Sequence, residues 1–516
     1  MYNLLLKSET DIPAELKQSL FELVCYYNHE DPLSDEFIEE RWFRQSNKIK
    51  ERQRKTWKDH DLAEQLFSEI TPKDSKAYST IIRGMCKYYQ VEKAWALYNE
   101  CIANNIELDV YAFNAVINVA SFLKESSELR WDLIVELLTS MNSQKVKPNL
   151  GTLNAALYAV GTMGGYRQSR DYALKILSEF KNNLGIEPSL AAYFQVLQIF
   201  CKERGPVSHV LVDIMNQIEG KEFKIQDVRD TNFFVTAMDV CRNHLNDRNL
   251  AKRVDDLLHL GDNYNLIGDS FKESIYYRHY FSLLVSTEPL EVFMETYNLL
   301  VPNVYIPEPG VMEDILKAVE VTGAIENLPL LWSHMILFDH INRENLLQII
   351  MKIMIQNKPD ETILSQQKLK EQFGAVAWDI WVKIEDKNEM RSKPIVWSGR
   401  MLGGIIRLLA RVSEMEKANV VFEKLMNDQH KIIGEPELAS MEDFIALAIE
   451  HKQPSKAISC LQYCHDIGMA RECRDLAVTI VKGFTLDESH SKRIAFLVGT
   501  DVLKEADVKI EETPSN

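Results

Sequence analysis

The feature that most constrains this chain is an internal repeat with a period of 35 to 40 residues. The first clear repeat covers residues 75–109, the next two cover 110–149 and 150–189, and a fourth starts at Leu190. The fourth residue of every repeat is large and apolar, and these residues are Tyr78, Phe113, Leu153 and Tyr193. A single repeat of this size cannot bury its own apolar face. The pattern therefore predicts stacked repeats that share one continuous core.

The first repeat has the apolar spacing of two helices. A first stripe, spaced i, i+3, i+4, i+7, consists of Tyr78, Ile81, Ile82 and Met85. A second stripe consists of Val91, Ala94, Trp95 and Tyr98. Residues 87–90 between them are too few for a strand, and 20 Gly and 16 Pro are low counts for 516 residues. The sequence thus predicts an all-α fold of helix-turn-helix repeats whose first helices line a concave face.

Later repeats are less regular than the first four. The second-helix segment 91–98 recurs at 415–422, whereas the pattern weakens between residues 359 and 393. We therefore predict five segments: an N-terminal helical segment with a basic island (1–60), a repeat array (61–354), an irregular helical connection (355–392), degenerate C-terminal helical repeats (393–507) and a loose tail (508–516).

Charge and motifs exclude several functions. The net charge of −17 excludes binding of nucleic acid over the whole surface, because phosphate binding requires positive charge. The chain has no Gly-x-Gly-x-x-Gly, P-loop, His-Glu-x-x-His or Gly-x-Ser-x-Gly motif. We therefore expect no enzyme activity, no cofactor and no small-molecule substrate. The longest uncharged stretch, 148–166, is interrupted by Pro and Gly, so we also expect no membrane span.

The eight cysteines indicate a reducing compartment. They are few for the length, and no pair has Cys-x-x-Cys spacing. One cluster combines Cys460, Cys464, His465 and Cys473, and its spacing is compatible with a metal. We favour the alternative that these thiols pack on the apolar face of a helix, since free Cys behaves as a small hydrophobe. We expect no metal site.

Repeat 75–109 resembles the pentatricopeptide repeat. It has an aromatic residue at position four, a short polar residue after it, an Ala in the second helix and a terminal Asp. Over its whole length the chain is similar to pentatricopeptide proteins of the mitochondrial small ribosomal subunit. This resemblance implies a right-handed superhelical α-solenoid and an RNA-binding structural component that supports mitochondrial translation. It implies contact with rRNA and/or incoming mRNA near the mRNA entry side, with small-subunit proteins as further partners.

The resemblance also implies a location on ribosomes in the mitochondrial matrix. The chain starts without an Arg-rich transit peptide, so we expect an N-terminally shortened form.

In this family, the fifth and last residues of each repeat read one base. On this chain the corresponding residues, as pairs, are Ser79 with Asp109, Asn114 with Asn149, and Asn154 with Ser189. Phe194, at the fifth position of the fourth repeat, departs from the pattern because it can stack on a base but cannot read it. The alternative is that Asn114 and Asn154 cap or bridge neighbouring helices.

A basic island precedes the first clear repeat. It contains one acidic residue, Glu51, and eight basic residues: Arg41, Arg44, Lys48, Lys50, Arg52, Arg54, Lys55 and Lys58. Trp42, Phe43 and Trp57 are interleaved with them, a combination that suits phosphate contact and base stacking. The same pattern fits a solvated helix face with the aromatic residues turned inward. The alternative function for the whole chain is a helical-repeat scaffold for proteins, without direct RNA contact.

Overall fold

A computed structural model of the chain describes residues 13–30, 56–164, 166–202, 205–359, 362–390, 395–469 and 471–503. These residues form α-helices with short 3₁₀ and π turns, and their only β pairings are two isolated bridges. The predicted all-α fold of stacked helix pairs is confirmed. The chain divides into two compact units, residues 1–283 (the N-terminal unit) and 284–516 (the C-terminal unit).

The N-terminal unit is built from consecutive helix pairs. Its helices are α1 (Ala14–Tyr27), α2 (Leu62–Glu69), α3 (Ser75–Lys87), α4 (Val91–Ala103), α5 (Val110–Asn118), α6 (Ala120–Leu123), α7 (Ser127–Ser143), α8 (Leu150–Gly161), α9 (Tyr166–Ser178), α10 (Leu190–Phe200), α11 (Val210–Ile218), α12 (Phe233–Asp239) and α13 (Arg248–Leu258). Helix α14 (Ser270–Thr287) contains the division between the units. The first helices α1, α3, α5, α8 and α10 pack successively on one another and form one layer.

The predicted apolar stripes account for this packing. All four residues of the first stripe are buried on α3, and Val91, Ala94 and Tyr98 are buried on α4. Trp95 is only half-buried and stacks on Tyr98 with 5.0 Å between ring centroids. Three of the first helices, α3, α5 and α8, begin where a short polar side chain accepts a backbone hydrogen bond, at Asp74, Asp109 and Asn149.

The C-terminal unit continues the helix pairs. Its helices are α15 (Leu290–Leu300), α16 (Pro309–Thr322), α17 (Leu328–Leu337), α18 (Glu344–Gln356), α19 (Leu364–Met390), α20 (Gly399–Arg411), α21 (Met415–Asn427), α22 (Leu438–Glu450), α23 (Pro454–Asp466), α24 (Glu472–Gly483) and α25 (Glu488–Val498). The long α19 lies where the repeat pattern weakens and packs on α17 and α20. Trp332 Nε1 on α17 donates to Asp379 on α19 at 2.8 Å. The predicted segment boundaries stay a prediction.

Candidate nucleic-acid interface

Two cavities lie along the first helices of the N-terminal unit. One, of about 290 Å³, is lined by Arg83, Cys86, Lys87, Asn114, Ala115, Asn118, Gly151, Ala155 and Arg229. The other, of about 530 Å³, is lined by Ser19, Glu22, Leu23, Cys25, Tyr26, Tyr27, Thr80, Arg83, Gly84 and Lys87. The two cavities share Arg83 and Lys87, and we refer to them together as the first-helix groove. Helices α1, α3, α5 and α8 form its walls.

The charge of this layer differs from that of the chain as a whole. Helices α3, α5, α6, α8 and α10 carry three basic side chains, Lys76, Arg83 and Lys87, and no acidic side chain. The second helices α4, α7 and α9 carry six acidic and five basic side chains. With α1 included, which adds Lys17, Glu15 and Glu22, the layer of first helices keeps a positive excess, so the net charge of −17 does not describe the groove.

Arg83 and Lys87 point to the groove from one face of α3. The Arg83 guanidinium lies 5.1 Å from the centre of the Tyr111 ring, and Lys87 Nζ lies 3.1 Å from that of Tyr26. Lys87 also donates to the main-chain oxygen of Tyr26 at 2.9 Å. Among the described residues, neither cation forms an ion pair with a carboxylate, so both retain charge for a phosphate.

The carboxylate that lines the first-helix groove, Glu22, is paired with a lysine. Glu22 lies 3.0 Å from the ammonium of Lys76, and this hydrogen bond holds the pKa of the carboxyl below its usual value. The 290 Å³ cavity is lined by three basic residues and no acidic residue. The groove is therefore compatible with a bound polyanion.

The structure brings Ser79 and Asp109, the first predicted base-reading pair, together. Ser79 is only 1 % exposed, and its Oγ accepts a hydrogen bond from the backbone N–H of Asp109 at 3.1 Å. The Asp109 carboxylate accepts from the backbone N–H of Ala112 at 2.7 Å and so caps α5. Both side chains thereby join one repeat to the start of the next.

Asn114 and Asn149 also meet. Asn114 Nδ2 donates to Asn149 Oδ1 at 3.1 Å, and Asn114 Oδ1 accepts from Thr152 Oγ1 at 2.7 Å. Asn149 and Thr152 form a capping box at the start of α8. A Cβ at Gly151 would lie 2.8 Å from Asn114 Nδ2, so the absence of a side chain there makes room for the pair. Asn114 bridges neighbouring helices while it lines the groove.

Asn154 and Ser189, the third predicted base-reading pair, are not bonded to each other. Asn154 is 2 % exposed, and its Nδ2 donates to Asp227 Oδ2 at 2.9 Å instead. Ser189 precedes α10, but its buried hydroxyl has no hydrogen-bond partner among the described residues. Asp230, which is 1 % exposed, takes the role of the missing cap because its Oδ1 accepts from the Ala191 N–H at 2.6 Å.

Sequence reasoning missed Asp227, Arg229 and Asp230. Asp227 and Asp230 form a capping box on the 3₁₀ turn Val228–Asn232. Arg229 then enters the groove, with its guanidinium 5.0 Å from the centre of the Tyr158 ring and Nη2 donating to Asn118 at 3.4 Å. The Asp-x-x-Asp spacing at the end of the fourth repeat is the signal that could have identified this turn.

Most of the predicted basic island lies outside the described residues. This applies to seven of its basic residues: Arg41, Arg44, Lys48, Lys50, Arg52, Arg54 and Lys55. Lys58 is described and pairs with Asp61 at 2.9 Å. Trp57 is buried, and its Nε1 donates to Glu64 at 3.1 Å. RNA contact by the island stays a prediction.

Arginines of α20 in the C-terminal unit are engaged within the stack. Arg400 pairs with Glu437 at 2.8 Å, and Arg407 pairs with Asp443 at 2.9 Å. Arg411 donates to two main-chain oxygens at the end of α18. These guanidinium groups therefore join successive helices, in contrast to that of Arg83 in the first-helix groove.

The cysteine cluster of α23 and α24 is buried in apolar packing. Cys460, Cys464 and Cys473 are inaccessible to solvent, whereas His465 is exposed beside Asp466. Burial raises the pKa of the Cys473 thiol to about 11, so the thiol is protonated near neutral pH. Within the described ranges there is no group of three or more His, Cys, Asp or Glu side chains arranged to hold a metal ion. None of the described helices is long and apolar enough to cross a bilayer.

Two family models match parts of the chain. The family described as "Pentacotripeptide-repeat region of PRORP" matches residues 71–224, which contain the stacked first helices of the groove. This part of the chain is therefore similar to a pentatricopeptide-type helical-repeat region. A second family, "Small ribosomal subunit protein mS39, PPR", matches residues 1–90. A match among solved structures is the pentatricopeptide repeat protein PPR10 from maize, at 12% identity and a TM-score of 0.37. The alignment covers 99% of this chain and 75% of the maize chain.

Relatives match over nearly the whole chain. The small ribosomal subunit protein mS39 of Drosophila melanogaster is 51% identical over 503 residues, which are 98% of this chain and 76% of the relative. The proteins of the same name from Danio rerio and Mus musculus are each 32% identical over 96% of this chain, covering 75% and 72% of the relatives. The chain belongs to the family of small ribosomal subunit protein mS39.

Proposed function

We propose that the chain is an RNA-binding structural component of the mitochondrial small ribosomal subunit. It contacts rRNA and/or incoming mRNA near the mRNA entry side and supports mitochondrial translation. Its partners are small-subunit proteins, rRNA and mRNA, and its location is the ribosome of the mitochondrial matrix. The observation that carries the proposal is the 51% identity, across 98% of the chain, to a relative named as a small ribosomal subunit protein.

The first-helix groove supports the RNA part of this proposal. Arg83, Lys87 and Arg229 line it, and Tyr26 and Tyr27 are more than half exposed. The first helices α3, α5, α8 and α10 carry no acidic residue, and Glu22 on α1 is paired with Lys76. Cations beside exposed aromatic rings provide phosphate contact and base stacking at the same time.

Sedimentation tests the ribosomal assignment. The tagged full chain is expected to migrate with the small subunit through a gradient at low salt with magnesium. A matched gradient in which magnesium is chelated to dissociate the subunit provides the control. Migration as a free protein in the first gradient contradicts the assignment.

A scaffold that binds only proteins is the second candidate function. It is favoured by Ser79, Asp109 and Asn149, whose side chains are engaged in bonds within the helix stack. UV crosslinking followed by denaturing purification of the chain distinguishes the two functions. Covalently bound RNA on the purified chain supports direct RNA contact, whereas a chain free of RNA that still sediments with the subunit supports the scaffold.

A further inference from the structure

We propose that the first-helix groove binds single-stranded RNA without reading its base sequence. The inference rests on the proposed function and specifies the mode of RNA contact. Arg83, Lys87 and Arg229 contact phosphates, and exposed tyrosines stack on bases of any identity. The side chains at the fifth and last positions of the repeats hold the helices together and do not select a base.

The first support is the burial of the side chains that would read the RNA. Ser79 and Asn154 are almost inaccessible to solvent, and Ser189 is buried as well. A base edge cannot reach a hydroxyl or amide in such a position without separating two first helices. Of the six predicted base-reading residues, only Asn114 lines the described cavities.

The second support is the bonding of Asn114 itself. Its amide nitrogen donates to Asn149, and its amide oxygen accepts from Thr152. One N–H and one oxygen lone pair of the amide remain, and the bonds to Asn149 and Thr152 fix the orientation in which the amide presents them. A base that replaced these bonds would also remove a capping interaction from α8.

The third support is the arrangement of the cations. Arg83 and Lys87 are spaced i, i+4 on α3, so they lie on one face of the helix. Arg229 reaches the same cavity from the turn before α12. Its Nη1 has no hydrogen-bond partner among the described residues, although Asp227 lies 3.8 Å from its Nε. Cations at both sides of a cavity follow a phosphate backbone, whose charge is the same for every sequence.

The fourth support is the exposed aromatic surface beside these cations. Tyr26, Tyr27 and Tyr111 are 56%, 61% and 57% exposed. Arg83 and Lys87 lie over the Tyr111 and Tyr26 rings, which places positive charge and ring faces next to each other. Stacking on a ring is tolerant of sequence, since every base has a π-face.

Binding of labelled oligo(U), oligo(A) and oligo(C) of equal length to the full chain tests the inference. We expect the three dissociation constants to agree within about threefold at any one salt concentration. Arg83→Gln and Lys87→Gln are each expected to weaken binding of all three RNAs by the same factor. Each is also expected to reduce the slope of log K against log salt by about 0.7. Lys252→Gln, at an exposed position on the second helix α13, is the matched control and is expected to leave binding unchanged.

A second pair of variants addresses base reading directly. Asn114→Thr and Asn149→Asp change the fifth and last residues, and thermal melting shows whether each variant is folded. We expect both to leave the order of affinities for the three RNAs unchanged. A preference above about tenfold that follows these substitutions overturns the inference while leaving RNA binding intact. Absence of binding to all three RNAs overturns direct RNA contact as well, and so separates failure of the proposed function from failure of this inference.

Discussion

Asp230 is predicted to be the most important single polar residue for the stability of the N-terminal unit. Its carboxylate is buried and accepts three backbone hydrogen bonds, from Ala191 at 2.6 Å and from Gln226 and Asp227 at 2.8 Å each. The bond to Ala191 joins the first turn of α10 to the turn that precedes α12. Asp230 therefore connects two successive repeats.

The structure sets the size of the expected effect. A hydrogen bond to a charged group contributes about 1.5–3 kcal/mol, and a buried donor left without a partner adds a desolvation penalty. Asp230→Ala removes three such bonds, whose contributions overlap because they share one carboxylate. We expect a loss of about 3–5 kcal/mol in the free energy of unfolding. Asp230→Asn keeps one acceptor oxygen and is expected to lose roughly half of that amount.

Urea unfolding followed by circular dichroism measures these losses. In a thermal scan, the same loss corresponds to a decrease of roughly 6–20 °C in the midpoint of the unit's transition. Asp256→Ala, an exposed aspartate on α13, is the control and is expected to change stability by less than about 0.5 kcal/mol. If Asp230→Ala and the control agree within about 1 kcal/mol, the carboxylate does not join the repeats as described.

Three further predictions concern packing, pH and thiols. Gly399→Ala should destabilise the fold by about 1–3 kcal/mol, because the added Cβ would lie 2.5 Å from a main-chain carbon of Glu435. Gly310→Ala is the control: its Cβ meets no atom within 4 Å, so this variant should be neutral or stabilising. Equal denaturant midpoints for the two variants would contradict this prediction. The hydrogen bond from Lys93 lowers the pKa of Asp59 in the folded chain below its ordinary value of 3.8. The stability that this pair contributes is therefore complete above pH 3.8 and is lost as the pH falls through the lowered pKa of the folded state. Melting temperatures measured against pH should therefore fall more steeply in acid for the parent chain than for Lys93→Met, and parallel curves would be evidence against the pair. Burial raises the pKa of the Cys86 thiol to about 12, so the native chain should react slowly with a disulfide reagent. After unfolding, all eight cysteines should react. Rapid modification of the native chain would contradict the burial of these thiols.

The helix pairs of the N-terminal unit could be predicted because their apolar residues follow helical spacing locally. Tyr78 and Met85 are buried as the first stripe requires, and α3 ends close to the predicted link at 87–90. The last residue of a repeat is the cap of the next helix, so the boundary at Asp109 coincides with a structural one. Local pattern and tertiary structure agree at these positions.

The contacts of the site depend on information that a local pattern does not contain. Asn154 reaches Asp227, 73 residues away, because the fourth repeat stacks so that the turn at 227 lies over α8. Arg229 enters the groove for the same reason: the Asp-x-x-Asp spacing around it can indicate a turn, but it does not say which helices that turn packs against. The packing of helix α19 on α17 and α20 could not be predicted either, because it follows from tertiary contacts and not from a repeat. Register between repeats is a property of the stack as a whole.

Site-resolved crosslinking on intact small ribosomal subunits is the most direct test of RNA contact by the first-helix groove. The full chain is crosslinked to RNA by UV light within the subunit, and the modified peptides are identified by mass spectrometry. We expect modified peptides that contain Tyr26 and Tyr27, Arg83 and Lys87, or Tyr111. If the chain sediments with the subunit but carries RNA only on peptides of the C-terminal unit, or on none, the groove is not its RNA-binding surface.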